Sequence, residues 1–363
     1  MNSMRDSTRR TAACLSIAAL CLLALGLPAL GAARDLTFFL VSDVHVGQQY
    51  KDSKPPITAA EYEQHLIDTL DVIATIPGQP WPQGPVAEAM KNLGPVGRPS
   101  GLIVAGDLTQ SRAADQWKGF ERLFPWQGLA PKRLPVFAVA GNHDAGSKTG
   151  PVRDGLRARN QAMLKAGLVS TLSADGLHSA WVWQGVHFVN VNLYAGDAPQ
   201  PDNKPGSMKD PERSLTFLRT YLAKNAPAPT PVVIIQHFGL EKSTWWGQGE
   251  RRAFYEAITN FNVVAILHGH THAITHLLFP GDDDLKVFGQ GGPRFDCFSA
   301  GAFKQETKKG EPWPGWRHPC ECYVFHLTDQ QFLAAHYTGG TNRWFAGRGA
   351  AELQVVKALS PKK

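Results

Sequence analysis

Residues 134–144 read LPVFAVAGNHD, and the rest of the chain is organised around this stretch. The apolar, proline-led run over residues 134–140 predicts a buried strand. A glycine then ends the strand and is followed by an amide, an imidazole and a carboxylate. Asn142 can supply a neutral oxygen ligand, His143 an acid or a metal ligand, and Asp144 a group that orients either. Alone, these four residues could also form a polar turn. Whether they belong to a functional site depends on the residues at the other strand ends.

Four further apolar runs predict buried strands that end in the same way. They cover residues 36–41, 101–105, 231–235 and 263–267. Ligand sites of open α/β sheets lie at the carboxyl ends of the strands. With the first stretch included, five strand ends carry side chains that can bind metals: Asp43 and His45, Asp107, Asn142 and His143, His237, and His270 and His272. A purely structural requirement does not account for five such ends together.

The candidate ligands are all nitrogen or oxygen donors. Because no thiolate is among them, the set suits borderline or hard ions such as Mn, Fe, Zn, Co or Ni. The donors are too numerous for a single tetrahedral zinc ion. Two divalent or transition metal ions that share one carboxylate fit the number of donors better.

The ordered set of motifs resembles the calcineurin-like metallophosphoesterase superfamily. The motifs are Asp43-x-His45, Gly106-Asp107, Gly141-Asn142-His143-Asp144, His237 and Gly269-His270-Thr271-His272. All five are present in order over residues 43–272, so the resemblance covers most of the chain. It implies an α/β fold, specifically a four-layer α/β/β/α sandwich with the metals at the strand ends.

The same resemblance implies a role for each candidate. One ion is held by Asp43, His45 and His272, the other by Asn142, His237 and His270, and Asp107 bridges the two together with a hydroxide. His143 stabilises the transferring phosphoryl group or protonates the leaving oxygen, and Asp144 orients His143. His268 is expected just outside the ligands, and we assign no role to His276.

The implied function is hydrolysis of phosphate mono- or diesters through the metal-bridging hydroxide; the sequence does not separate the two ester types. A non-catalytic interaction module on the same fold is the alternative. Such relatives lack the equivalent of His143 or several ligands, and none is missing here. Purple acid phosphatases resemble this set but carry a tyrosine three residues after the bridging aspartate, where this chain has Gln110. An iron–tyrosinate site is therefore not expected.

Residues 1–33 read as a signal peptide. Arg5, Arg9 and Arg10 form a basic start, residues 11–33 carry no charge, and small residues follow Pro28. Cleavage after Gly31 or Ala33 would release an exported protein to the periplasm or the cell exterior. The alternative is an uncleaved anchor, because ~20 apolar residues can span a bilayer. Residues 34–363 are expected to form a single metallophosphoesterase domain with a β-rich part over 273–356.

Charge and composition bear on the partners. Removing residues 1–33 takes away three arginines and one aspartate, which leaves a net charge of +4. This charge is too small and diffuse to indicate a nucleic-acid partner. The expected partner is a phosphate ester, with membrane contact only if the leader stays uncleaved or the substrate is a lipid. Trp245 and Trp246 could stack on a base, pack against a lipid or cover the core.

The cysteines of an exported protein can be oxidised, so we expect one disulfide from Cys297 to Cys320 or Cys322.

The remaining helices and strands follow from the apolar periodicity. Helical periodicity predicts helices over 59–76, 113–124, 152–168, 212–224 and 251–258. A hairpin is predicted over 180–183 and 186–193, where we interpret His187 as structural, and strands over 285–288, 323–327 and 331–337. Residues 77–99 and 195–211 are expected to be loops.

Overall fold

A computed structural model gives the fold of residues 33–82, 84–91, 94–128, 134–145, 149–201, 208–241, 247–289, 291–301, 321–338, 343–344 and 354–359. Residues Asp35–Lys363 form one compact unit. Most of the expected leader, Cys320 and the pair Trp245 and Trp246 lie outside the described residues. Within the described ranges, no helix is long and apolar enough to cross a membrane.

Helices and strands are interspersed from residue 35 to residue 288, and strands follow. The helices are α1 (Ala59–Ala74), α2 (Pro85–Met90), α3 (Ala114–Leu123), α4 (Pro151–Lys165), α5 (Ser214–Asn225), α6 (Gln248–Ile258) and α7 (Asp282–Phe288). The strands are β1 (Asp35–Val41), β2 (Pro99–Ala105), β3 (Val136–Val139), β4 (Thr171–Leu172), β5 (Ser179–Trp183), β6 (Val186–Asn190), β7 (Gln200–Pro201), β8 (Met208–Lys209), β9 (Pro231–Ile235), β10 (Asn262–His268), β11 (Ile274–Phe279), β12 (Phe295–Ala300), β13 (Glu321–Thr328), β14 (Gln331–Thr338), β15 (Arg343–Trp344) and β16 (Val355–Ala358).

Two seven-stranded sheets form the centre of the fold. The first has the order β15-β14-β13-β1-β2-β3, with β16 also paired to β14. The second has the order β11-β12-β10-β9-β6-β5-β4. Strands β1, β2 and β3 are mutually parallel, as are β6, β9, β10 and β12. Parallel strands end at the same edge of a sheet, and both sheets place their candidate ligands at this edge.

The two sheets pack face to face. On β1, Phe38 and its alternate neighbours point to one face, as expected for a period of two. Phe38 meets Phe188 of the second sheet edge-on, with ring centroids 5.1 Å apart. Phe137 stacks on Trp181 across the same space, at 4.1 Å. Burial of this aromatic-rich face is the main source of cohesion between the sheets.

Helices cover the outer faces, which completes the predicted α/β/β/α sandwich. The outer face of β1, including Phe39, packs against Tyr62 and Leu66 of α1. On the other side, Ile234 of β9 lies in a cluster with Leu218 of α5 and helix α6. The four-layer α/β fold is therefore confirmed.

Three of the predictions for the connecting segments need correction. Residues 285–288 belong to the helix α7, because Asp284 accepts the backbone N–H of Gly281 and acidic residues fill the first turn. A short apolar run does not distinguish strand from helix. The expected loops over 77–99 and 195–211 contain α2 and the β7–β8 pair, respectively.

The disulfide prediction is also wrong for the described cysteines. Cys297 and Cys322 are both buried free cysteines. Cys297 packs among the residues outside the second sheet, and Cys322 among those outside the first. The two thiols therefore lie in different layers of the sandwich, where they cannot pair.

Candidate metal centre

The strand ends are joined to one another by backbone hydrogen bonds. Asp43 donates its N–H to the carbonyl oxygen of Gly106 (3.0 Å), and His45 donates to that of Asp107 (2.8 Å). In the second sheet, Gly269 donates to the carbonyl oxygen of His237 (3.0 Å). These bonds continue the sheet ladders beyond the strands and hold the polar segments side by side.

Five of the seven predicted ligands have a left-handed backbone, a conformation rare for side-chain-bearing residues. The φ values are +53° for Asp43, +41° for His45, +49° for Asp107, +73° for His270 and +55° for His272. Aspartate and histidine are among the residue types enriched in this conformation. Strained backbone of this kind is concentrated at functional sites.

The first group of donors consists of Asp43, His45 and His272. Together with Asp107, they offer ligand atoms that all lie within 4.8 Å of one another. The Nε2 atoms of His45 and His272 face each other at 3.2 Å, and His272 Nε2 lies 3.4 Å from Asp43 Oδ1. Both ring nitrogens can serve as ligands to one cation.

The second group consists of Asn142, His237 and His270. The Oδ1 atom of Asn142 lies 2.9 Å from His237 Nε2 and 2.8 Å from His270 Nδ1. On the far side of the ring, His237 Nδ1 is 2.9 Å from the carbonyl oxygen of Ala105. A carbonyl only accepts, so Nδ1 carries the hydrogen and Nε2 keeps a lone pair for a metal.

Asp107 lies between the two groups. Its Oδ2 is 3.5 Å from Nε2 of His45, and its Oδ1 is 3.3 Å from Nε2 of His237. The side chain is 1% exposed, so its position is determined by the protein rather than by solvent. One carboxylate oxygen thus faces each group, as expected for a bridging ligand.

Glycines allow this close packing. A Cβ on Gly141 would lie 2.2 Å from Asp107 Oδ1 and 2.8 Å from His237 Nε2. A Cβ on Gly106 would lie 2.2 Å from His237 Nδ1. A side chain at either position would force the neighbouring ligand to shift.

The two carboxylate ligands, Asp43 and Asp107, have opposite pKa shifts. Burial favours a raised pKa of Asp43, but a hydrogen bond with His272 and the charges of His237 and His272 outweigh it, so this pKa is low. Burial and the charge of Asp43 raise the pKa of Asp107 well above its ordinary value. Two adjacent carboxylates can both stay ionised when divalent cations neutralise them. Burial also lowers the pKa of His237, which favours the neutral, metal-binding imidazole.

His143 lies beside the centre without joining either group. Its backbone N–H donates to Asp107 Oδ1 (2.8 Å), and its Nδ1 is 2.7 Å from the carbonyl oxygen of Gln110. The ring meets that of His45 edge-on, with centroids 4.7 Å apart. No sequence signal indicates the Gln110 carbonyl, since any residue can provide a backbone oxygen.

Asp144, which is predicted to orient His143, forms its hydrogen bonds with the two strand ends. The Asp144 carboxylate accepts hydrogen bonds from the backbone of Gly141, Leu108 and Thr109 and from the Thr109 hydroxyl. It is 3% exposed, and its partners are on the two strand ends rather than on the imidazole. The main-chain contact with Gln110 is what orients His143.

Three further histidines have hydrogen-bonding or charged partners outside the two ligand groups. His268 is fully buried at the end of β10, with Nε2 3.8 Å from Glu241 Oε1. His276 Nε2 is 2.9 Å from Oδ1 of the buried Asp296 carboxylate, so it has a partly buried partner of its own. The Nδ1 of His187 is 2.9 Å from the hydroxyl oxygen of Tyr221, which suits a structural histidine.

The sandwich and its edge of nitrogen and oxygen donors define a metallophosphoesterase-like protein. The model of the calcineurin-like phosphoesterase family matches residues 36–273. The chain therefore belongs to this family, whose members typically bind two metal ions. No curated protein matches the chain.

Several solved structures match the chain over most of its length at low sequence identity. GAP50, the anchor in the inner membrane complex of Plasmodium, is 12% identical with a TM-score of 0.47, over 91% of this chain and 90% of that chain. The calcineurin-like phosphoesterase YfkN from Bacillus subtilis is 13% identical with a TM-score of 0.36, over 90% and 91%. A metallophosphoesterase from Sphaerobacter thermophilus is 13% identical with a TM-score of 0.28, over 83% and 89%.

Proposed function

We propose that this chain is an exported phosphoesterase that hydrolyses phosphate mono- or diesters with two divalent or transition metal ions. The observation that carries the proposal is the placement of Asp107 between two groups of metal-binding side chains. Each group has three donors of its own and faces one oxygen of the shared carboxylate. A structural metal needs no such shared arrangement.

The residues that would hold the ions also account for substrate attraction. When bound, such an ion pair can acidify water and stabilise the charge of a phosphoryl group in transfer. The two carboxylates, Asp43 and Asp107, offset only half of the charge of two divalent ions. The centre therefore stays positive and attracts a phosphate without a basic surface, in agreement with the mild net charge.

His143 can donate a proton or a hydrogen bond to the substrate, which the metal ligands cannot do while they bind the ions. Because Nδ1 donates to the carbonyl of Gln110, Nε2 is the ring atom that can meet a substrate. A protonated Nε2 can donate to a phosphoryl oxygen or give its proton to the leaving alkoxide. This assignment needs no covalent nucleophile in the protein.

The test uses the purified chain and two chromogenic probes, nitrophenyl phosphate and bis(nitrophenyl) phosphate. Chelation should abolish hydrolysis, and addition of Mn²⁺ or Zn²⁺ should restore it, with metal content followed by elemental analysis. Full activity after complete metal removal would overturn the proposal. Tight binding of two ions without turnover of any mono- or diester would instead support the interaction-module alternative. The preferred probe decides between phosphatase and phosphodiesterase.

Export is tested separately from catalysis. The uncharged run over residues 11–33 and its small residues favour cleavage. N-terminal sequencing of native protein should find a start at residues 32–34 in the periplasmic or secreted fraction. Recovery of residue 1 in the membrane fraction would favour an anchor and reject the signal peptide.

A further inference from the structure

The buried carboxylate of Asp144 connects two of the strand ends that build the centre. Its Oδ2 accepts the backbone N–H groups of Leu108 and Gly141, both at 2.8 Å. Its Oδ1 accepts the N–H and the hydroxyl of Thr109, at 2.9 and 2.8 Å. Hydrogen bonds to an ionised acceptor are roughly twice as strong as neutral ones. The carboxylate therefore fixes the segment after β2 against the segment after β3.

The segment that Asp144 holds carries two groups required by the site. Asp107 precedes Leu108 and has a left-handed backbone, a conformation that side-chain-bearing residues rarely adopt. Gln110 follows Thr109, and its carbonyl oxygen is the partner of His143 Nδ1. The anchored residues, Leu108 and Thr109, lie between Asp107 and Gln110. The Asp144 carboxylate therefore determines the direction of the Asp107 side chain and of the Gln110 carbonyl.

The Gln110 carbonyl also determines the tautomer of His143. A carbonyl oxygen cannot donate, so the hydrogen must be on Nδ1. The lone pair of the neutral ring is then on Nε2, the atom available to a substrate. A shift of the Gln110 carbonyl would weaken the preference for this tautomer and let the ring rotate.

We propose that Asp144 is a positioning residue that acts on the reaction through Gln110 and His143. Its carboxylate holds the backbone of Leu108 and Thr109, this backbone aims the Gln110 carbonyl, and the carbonyl fixes the His143 tautomer. This inference rests on the proposed function, in which His143 assists phosphoryl transfer. It differs from direct contact between Asp144 and the imidazole, which the structure does not have.

The first experiment does not depend on activity. Nitrogen NMR of the histidine side chains should show His143 as the Nδ1–H tautomer, with its signals assigned by their loss in His143→Ala. Asp144→Asn puts an amide donor against backbone N–H donors, so it should shift these signals toward a mixture of tautomers. Unchanged signals in a folded Asp144→Asn protein would overturn the proposal.

Asp154→Asn is the matched control. The Asp154 carboxylate also accepts a backbone N–H, from Gly150 at 3.0 Å, but it is exposed at the start of α4. This variant should leave the His143 signals unchanged. If Asp144→Asn does not fold, Thr109→Val removes one of the four hydrogen bonds to Asp144, together with the bond that the hydroxyl accepts from the Arg112 N–H at 3.2 Å, and it should produce a smaller shift in the same direction. No shift in folded Thr109→Val would then count against the proposal.

The second experiment is a double-mutant cycle on two probes. Asp144→Asn should slow hydrolysis of an alkyl phosphate by ~10–100-fold and of nitrophenyl phosphate by less, with both metals retained. When Asp144→Asn is added to His143→Ala, the rate should fall little further, because Asp144 acts on the reaction through His143. Additive losses, or equal losses on both probes, would assign Asp144 a structural role only. If the wild type hydrolyses no ester, the proposed function fails and the NMR comparison alone decides on Asp144.

Discussion

The two ligand groups flank the same carboxylate but are supported in different ways. In the first group, Asp43, His45 and His272 all have a left-handed backbone. In the second group, Asn142 and His237 do not, and the orientation of His237 comes from its hydrogen bond with the Ala105 carbonyl. The left-handed backbone thus orients the ligands of the first group, whereas side-chain and carbonyl contacts orient most of those of the second group.

This difference has a physical consequence for metal binding. Three left-handed residues together cost on the order of several kcal/mol, which the surrounding hydrogen bonds must offset. In the first group, part of this compensation comes from the His270 N–H, which lies 3.1 Å from both oxygens of Asp43. The first group therefore depends on His270, a residue of the second group. We expect metal binding by the first group to be more sensitive to changes in the second group than the reverse.

The largest effect is expected from the residue shared by both groups. Asp107→Asn removes the bridging charge while it keeps the shape, so both ions should be lost and activity should fall to background. Elemental analysis should find well below one ion per chain. Retention of about two ions with only a mild loss of rate would show that Asp107 does not bridge.

Loss of a ligand that belongs to only one group should remove only the ion bound by that group. His272→Ala should leave about one ion per chain, held by the second group, because only the first group loses a donor. Asn142→Ala should have the reverse effect. Stoichiometry by elemental analysis checks both variants, and equal loss of both ions in each would mean that the groups do not act independently.

His143 should affect the rate and not the metals. His143→Ala should keep both ions yet lose ~10²–10⁴-fold in rate, the usual contribution of a general acid. The loss should be greater for alkyl esters, whose leaving alkoxide is strongly basic, than for nitrophenyl esters. Equal losses would rule out the acid role and leave charge stabilisation, and loss of metal would make His143 a ligand.

The smallest effect is expected from crowding of one ligand. Gly106→Ala would place a Cβ 2.2 Å from His237 Nδ1, so it should weaken Mn²⁺ binding by the second group by ~10–100-fold. Gly78→Ala is the control, because Gly78 has the same φ of +89° but nothing within 4 Å of the added carbon. Titration calorimetry measures both, and equal losses would assign the effect to backbone strain alone.

Several features could be predicted from local sequence because they depend on local chemistry. Alternation on β1 and the apolar runs before each polar end indicate buried strands, and donor types indicate the class of metal. The resemblance implied the four layers and the two ligand sets. The error at residues 285–288 has the same local origin, since four apolar-rich residues are compatible with either element.

The sequence by itself determined which side chains stand at the strand ends; the tertiary structure decided how they meet. His45 and His272 are 227 positions apart, yet their ring nitrogens lie 3.2 Å from each other. The partners of Asp144 and His143 are main-chain atoms, which carry no residue-specific signal. The left-handed backbone of the ligands and the separation of Cys297 from Cys322 likewise follow from the packing of two sheets. Side-chain chemistry is local, whereas distance, strain and burial are properties of the whole fold.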